Sequence, residues 1–239
     1  MTDSSEIAER LARVRAAVAT AAREANRDPA EITLIGVSKR KPLAAIEAAF
    51  AAGLRDIGEN HADELLEKAA AFAPDGLRYH FIGRLASRRA RKVARQAMLI
   101  HTLDSLRLAR KLSLIAQEEG REVRALVQVN QGGEATKGGV APDATAALAR
   151  AAAALSGLRV VGLMSIPPFD DRPRDWFRQL RQLRDVVAAE TGIALPELSM
   201  GMSHDFAEAI AEGATLVRVG TAIFGARNPK TPKYNDAFR

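Results

Sequence analysis

Apolar positions in this chain follow two rhythms that take turns along its length. Short continuous runs rich in Val, Ile and Leu, such as Thr33-Leu34-Ile35-Gly36-Val37 and Leu216-Val217-Arg218-Val219, read as strands buried on both faces. Elsewhere apolar residues recur at helical spacing, as Ile7, Leu11, Val14 and Val18 do. The pattern predicts an opening helix over 5–26. Strands are expected near 32–39, 55–60, 78–83, 99–104, 123–130, 159–166, 197–200 and 216–220. Helices are expected over 43–52, 62–72, 85–96, 105–119, 143–155, 174–190 and 205–212.

Regular β/α alternation implies a parallel sheet, and eight β units within one domain length point to an α/β fold. The expected form is a (β/α)8 TIM-like barrel with an extra N-terminal helix. A doubly wound open sheet is the alternative, but no Gly-x-Gly-x-x-Gly comes after the first strand. No linker divides the chain, so 1–239 reads as a single domain, with 1–28 as the N-terminal helical segment and 228–239 as a C-terminal tail.

Composition narrows the chemistry. Of the 239 residues 47% are apolar, enough for a substantial core. Lys and Arg number 35 against 29 for Asp and Glu, a net charge of +6 that favours anionic ligands without saying which. There is no cysteine, which removes disulfides, thiolate nucleophiles and thiolate metal sites. His61, His80, His101 and His204 lack ligand spacing, so no metal is expected. The N-terminus is amphipathic rather than a signal peptide, and no apolar stretch is long enough to span a bilayer. A soluble, cytoplasmic protein is the expectation.

In a barrel of this kind chemistry gathers at the C-terminal ends of the strands. Lys39 ends the first β run just before Pro42. A lysine there suits anion binding or a Schiff base with a carbonyl compound; the plain alternative is a side chain snorkelling to the surface. Arg218 interrupts a run that is otherwise apolar, and strand alternation puts it on the face of Leu216 and Gly220. Such an arginine needs an acceptor, either a carboxylate such as Glu59 or a ligand atom in the barrel mouth. His80 shares a face with Ile82, leaving Tyr79 and Phe81 opposite. Ser203 is placed to cap a helix, and with Gly201, Gly220 and Thr221 it could also cradle an anion. Together with Lys39 these pieces describe a site for a phosphorylated aldehyde or ketone.

Several blocks in order resemble one known family: Val37-Ser38-Lys39, Ile57-Gly58-Glu59-Asn60, His80-Phe81-Ile82-Gly83, Gly162-Leu163-Met164-Ser165-Ile166, Leu198-Ser199-Met200-Gly201-Met202-Ser203, and Val217-Arg218-Val219-Gly220-Thr221-Ala222-Ile223-Phe224-Gly225. The chain is similar, over about 32–227, to the pyridoxal phosphate homeostasis protein family (the YggS/PROSC type), related to the N-terminal barrel domain of alanine racemase. The resemblance implies pyridoxal 5'-phosphate (PLP) bound as a covalent internal aldimine at Lys39. It places Arg218 at the pyridine nitrogen, Ser203, Gly220 and Thr221 on the phosphate, and Asn60, His80, Ile82, Met164 and Met200 around the ring. The chain departs from the family after Gly83, where the usual Gln and Asn-Lys are replaced within Leu85-Ala86-Ser87-Arg88-Arg89.

An arginine at the pyridine nitrogen supports carbanion chemistry poorly, and racemisation needs a second base. Only Tyr79 and Tyr234 exist as tyrosines, the first expected to point away from His80 and the second in the tail. Binding, storage and delivery of PLP without efficient turnover is therefore expected, with a low-efficiency amino-acid racemase as the alternative. Apo PLP-dependent enzymes are the expected recipients and a monomer the expected state. The basic segment holding Arg84, Arg88, Arg91, Lys92 and Arg95 reads as a solvated helix face; nucleic-acid binding is the competing use. Arg172 to Arg184 reads as another solvated face. The glycine-rich stretch from Asn130 to Gly139 reads as either a lid or a passive loop.

Overall fold

A computed structural model describes residues 4–134, 136–168, 170 and 172–226. The tail at 228–239, with Tyr234, lies outside the described residues. The chain opens with helix α1 (Ser4–Glu24), whose buried stripe is Ile7, Leu11, Val14, Val18, Ala21 and Ala22. It ends where Asn26 takes a left-handed backbone (φ 55) and Arg27 N–H returns to Ala22 O at 2.9 Å. The Arg27 guanidinium then donates to Ile210 O and Ala214 O, tying the start of the chain to its end.

Eight strands make up the sheet: β1 (Thr33–Val37), β2 (Asp56–Glu59), β3 (Arg78–Phe81), β4 (Ala97–Leu103), β5 (Val123–Val129), β6 (Leu158–Ser165), β7 (Glu197–Ser199) and β8 (Leu216–Val219). They pair in parallel in sequence order and close with β8 on β1, giving a (β/α)8 barrel. Helices α2 (Leu43–Ala51), α3 (Ala62–Ala71), α4 (Ala90–Gln96), α5 (Leu106–Glu118), α6 (Thr145–Ala153), α7 (Pro173–Thr191) and α8 (Phe206–Ala211) connect them. Helix α9 (Thr221–Phe224) comes directly after β8.

Two apolar layers result from strand alternation. Ile57, Phe81, Ile100, Val127, Leu163, Val217 and Val219 pack outward under the helices. A smaller cluster of Ile35, Leu99, Leu126, Val161, Met164 and Leu216 lies inside. The interior is not filled by apolar groups alone: His80, His101, Ser199 and Arg218 are buried there as well. Gly58 makes room, since a Cβ on it would stand 2.9 Å from Ile35 Cγ2 and 3.2 Å from Ile82 Cδ1.

The basic segment differs from expectation. Helix α4 begins at Ala90, not 85, so Arg84 and Arg88 precede it. Arg91 pairs with Glu118 at the end of α5 and with Glu119 just past it, Arg95 with Glu119, and Arg89 with Asp63. Arg174, Arg178 and Arg181 of α7 converge on the buried Glu212 at the end of α8. Their hydrogen bonds overcome the effect of burial and hold that carboxyl below its ordinary range. That face is solvated, as expected, and its arginines also clamp α7 to the end of α8.

Candidate functional site

Lys39 sits two residues past β1, half-buried, at the rim of the barrel's C-terminal mouth. Its turn is fixed from both sides. Lys41 N–H donates to Ser38 O at 2.9 Å, closing a tight turn in which Arg40 takes a left-handed backbone (φ 59). Beneath it a buried ion triad holds the flanks. Lys68 Nζ of α3 donates to Ser38 O at 2.8 Å, to Glu59 Oε1 at 2.7 Å and to Glu64 Oε1 at 2.7 Å. Ser38 Oγ also donates to Glu59, and Arg40 N–H to Glu64. Burial, reinforced by the Glu64 charge and opposed by Lys68, pushes the Glu59 carboxyl up to about 7. On the outer side Lys41 Nζ donates to Gly225 O and Ala226 O, joining the Lys39 turn to the segment after β8.

Arg218 points into the lumen, with Val217 and Val219 in the outer layer as alternation requires. The carboxylate partner that Glu59 might have been is taken by Lys68. Arg218 instead donates through Nη1 to Ser199 Oγ at 2.6 Å and through Nη2 to Ser165 O at 2.9 Å. Burial lowers its pKa to about 10, with the Asp205 charge acting in the other direction, so it stays cationic at neutral pH. Ser199 also touches His101 Nδ1 at 2.9 Å, His101 Nε2 lies 3.1 Å from His80 Nδ1, and His80 Nε2 lies 2.9 Å from Asp56 Oδ1. Burial, then the charges of His80 and Arg218, drives the His101 pKa well below the ordinary value and keeps it neutral. Burial alone would raise the Asp56 carboxyl, but hydrogen bonds from His80 and Arg78 outweigh it and hold that group low.

The strand pairing β1–β8, with Ile35 opposite Arg218, brings the Lys39 turn, Arg218, Gly220 and Thr221 into one sector of the mouth. A Cβ on Gly220 would press on Val37 O at 3.3 Å. Gly201 has φ 88, and a Cβ there would overlap Ala209 Cβ at 2.5 Å, so the turn after β7 requires glycine. Ser203 does not cap α8 as its position suggested. The helix starts later, at Phe206, and Asp205 Oδ1 accepts Met202 N–H instead. Ser203 is left half-buried in the turn between β7 and α8.

Met164 and Ile82 lie inside the barrel. Met200 is fully buried in the outer layer, because Ser199 takes the inward side of β7. His80 is in the lumen, with both ring nitrogens already engaged by protein. Two polar atoms near the strand ends, Asn60 Oδ1 and Ser165 Oγ, are buried and have no hydrogen-bond partner among the described residues. The sequence pattern did not mark His101, Ser199, Asp56 or Lys68; nothing local distinguishes them, and only closure of the barrel brings them together.

The glycine-rich stretch, read as either a lid or a passive loop, is braced by hydrogen bonds among its described residues. Asn130 accepts from Glu134 N–H and donates to Glu134 O, while Lys137 Nζ bonds Glu134 Oε1 and Pro167 O. Tyr79 points outward, its hydroxyl donating to Phe72 O at 2.8 Å, and burial raises its pKa to about 12.

The chain is a closed parallel barrel with polar groups gathered at the mouth after β1, β6, β7 and β8, and the model of the alanine racemase N-terminal domain family matches its residues 9–228. Within it the chain belongs to the pyridoxal phosphate homeostasis protein family. It is 45% identical over 231 residues to the pyridoxal phosphate homeostasis protein of Pseudomonas aeruginosa, covering 95% of this chain and 99% of that one. Among solved structures it superposes on PipY of Synechococcus elongatus without PLP (TM-score 0.83, 38% identity, 92% of this chain and 100% of that chain). PipY with PLP bound gives a TM-score of 0.80 at 37% identity, covering 92% and 100%.

Proposed function

We propose that this chain binds PLP through Lys39, stores it and hands it to apo PLP-dependent enzymes in the cytoplasm, acting as a monomer without efficient turnover of its own. The observation that carries this reading is the convergence of the Lys39 turn, the buried Arg218 and the Gly220-Thr221 rim in one sector of the barrel mouth. The family relatives named for PLP homeostasis, and PipY solved with PLP bound, support it.

The residues present suit the cofactor. The orphaned Asn60 Oδ1 and Ser165 Oγ can be met by polar groups of a ligand, and Arg218 can offer an N–H to an acceptor nitrogen. PLP supplies an aldehyde that condenses with a primary amine. Lys39 would provide that amine from a turn that cannot drift, because Lys68, Glu59 and Glu64 hold both its flanks. Ser203, Gly220 and Thr221 would receive the phosphate. Ile82 and Met164 would pack the ring; Asn60 and His80 complete the proposed set, His80 by ring contact since its nitrogens are committed, while Met200, expected beside the ring, packs in the outer layer away from it.

Arg218 limits the chemistry open to the bound ring. A guanidinium keeps its proton, so it can donate to the ring nitrogen without protonating it. That leaves the ring a weak electron sink. The described residues also offer no second tyrosine base, since Tyr79 is bound on the outer side of its strand. The test pairs two assays on purified protein saturated with PLP. Restoration of an apo-enzyme's activity, together with alanine and serine turnover far below ordinary enzyme rates of ~1 s⁻¹ or more, is expected. Racemisation at such rates, abolished by Lys39→Ala, would favour an amino-acid racemase instead.

A further inference from the structure

The lumen carries a second polar assembly that reaches far below the mouth. From Arg218 the contacts run through Ser199, His101 and His80 to Asp56, at the N-terminal start of β2. They cross the barrel from β8 and β7 to β4, β3 and β2. With both imidazoles neutral, the Arg218 donor at one end and the Asp56 carboxylate at the other set the direction of every bond. An arginine can only donate, so Ser199 Oγ accepts from Arg218 and has its own proton to give to His101 Nδ1. His101 then carries its proton on Nε2 and donates to His80 Nδ1. His80 carries its proton on Nε2 and donates to the Asp56 carboxylate, which can only accept. Both imidazoles are neutral in this arrangement, and each has one donor and one acceptor nitrogen used.

We propose that Ser199, His101, His80 and Asp56 form a one-directional hydrogen-bond relay that holds Arg218 in place and lends it a remote counter-charge, making all four positioning residues for the ligand's ring nitrogen. The proposal rests on the reading that Arg218 faces that nitrogen. Its physical basis is that Arg218 is only 3% exposed yet, among the described residues, forms no ion pair with a carboxylate. A buried cation without a carboxylate in contact is costly, and the Asp205 charge acts on Arg218 from beyond ion-pair distance. Aligned hydrogen bonds polarise one another, so negative charge at Asp56 strengthens the acceptor that Ser199 presents to Arg218. Arg78 closes the far end, its Nε donating to Asp56 Oδ1 at 2.7 Å, and holds the carboxylate ionised and oriented. An apolar lumen would fill the barrel equally well; the chain places two histidines, a serine and an arginine there in unbroken contact.

The experiment has two arms. In ligand-free wild-type protein, nitrogen-15 NMR of the imidazoles at neutral pH should find His80 and His101 neutral, each protonated on Nε2 only. A doubly protonated His80, or a proton on His101 Nδ1, reverses the chain and overturns the relay. The second arm compares PLP with its 1-deaza analogue, in which C–H replaces the ring nitrogen, by fluorescence titration of the wild type and Asp56→Asn. Wild type should prefer PLP, and Asp56→Asn should lose about fivefold of that preference, the equivalent of one ordinary hydrogen bond, while binding the deaza analogue as before. Equal binding of the two ligands by wild type would refute the placement of Arg218 at the ring nitrogen. Discrimination that survives unchanged in Asp56→Asn would refute the relay alone. The NMR arm decides the matter independently should that variant fail to fold.

Discussion

Lys68 reaches from α3 to the backbone of the Lys39 turn, its Nζ 2.8 Å from Ser38 O, while also bonding Glu59 and Glu64. One buried ammonium thus serves two carboxylates and a turn carbonyl. The turn itself holds Arg40 at φ 59, which for a non-glycine residue has to be enforced by its surroundings. Precise placement of Lys39 therefore depends on a lysine that never needs to touch a ligand.

Lys68→Met removes the cation and leaves two buried carboxyls facing each other. Loss of one partner from a buried ion group costs about 3–5 kcal/mol, so urea unfolding should show a decrease of that order. PLP titration of the folded variant should also show weaker binding, because Ser38 loses its anchor. Unchanged stability would mean the triad is not formed in solution.

The pH dependence of stability should contain two opposing parts. Glu59 is raised from 4.5 to about 7, so the native state holds a proton that the unfolded chain releases above about 4.5. Its contribution is full below 4.5 and lost as pH rises through about 7. His101 is lowered well below 6.5, so the unfolded chain binds the proton that the native state refuses. Its contribution is full above 6.5 and lost as pH falls. In wild type these trends offset each other between about pH 5 and 7. Glu59→Gln removes the first and should uncover a loss toward acid of up to about 1.4 kcal/mol per pH unit. Denaturant unfolding of both proteins at half-unit steps would show it, and parallel curves would contradict the assignment.

Gly83 ends the third β unit where no side chain fits. A Cβ would stand 1.7 Å from Asn60 O, a backbone atom that cannot swing aside, while Thr102 Oγ1 donates to Gly83 O at 2.6 Å. Gly83→Ala should cost about 3 kcal/mol or more through overpacking and lower Tm by roughly 10 °C in a chain of this size. A variant melting with wild type would show that the β2 and β3 ends are less close than described.

What was legible in the chain were features with a local signature. The strand ends, the barrel closure expected from eight β/α units, the inward face of Arg218 and the outward face of Tyr79 all derive from period and alternation. The start of α4 was less legible. Arg84 to Arg89 has a helical composition, yet irregular backbone and a turn at 87–89 occupy it before α4, and the N-cap position of α8 falls at Asp205, two residues past Ser203, with no side-chain capping bond. The lumen network was not legible at all. His101 and Ser199 meet across 98 residues of sequence, and Lys68 looks like any solvated lysine on an amphipathic helix until α3 docks over β2. Polar groups whose partners come from opposite sides of a closed barrel leave no trace in a linear pattern.

Lys39 is proposed to carry the cofactor, and covalent trapping reads out that attachment itself. Purified protein incubated with PLP should show a visible absorption band that borohydride abolishes. Peptide mass spectrometry should then find the reduced pyridoxyl group on Lys39, with both signals absent from Lys39→Ala. A label distributed over Lys41 or other surface lysines, or an undiminished band in Lys39→Ala, would contradict the account.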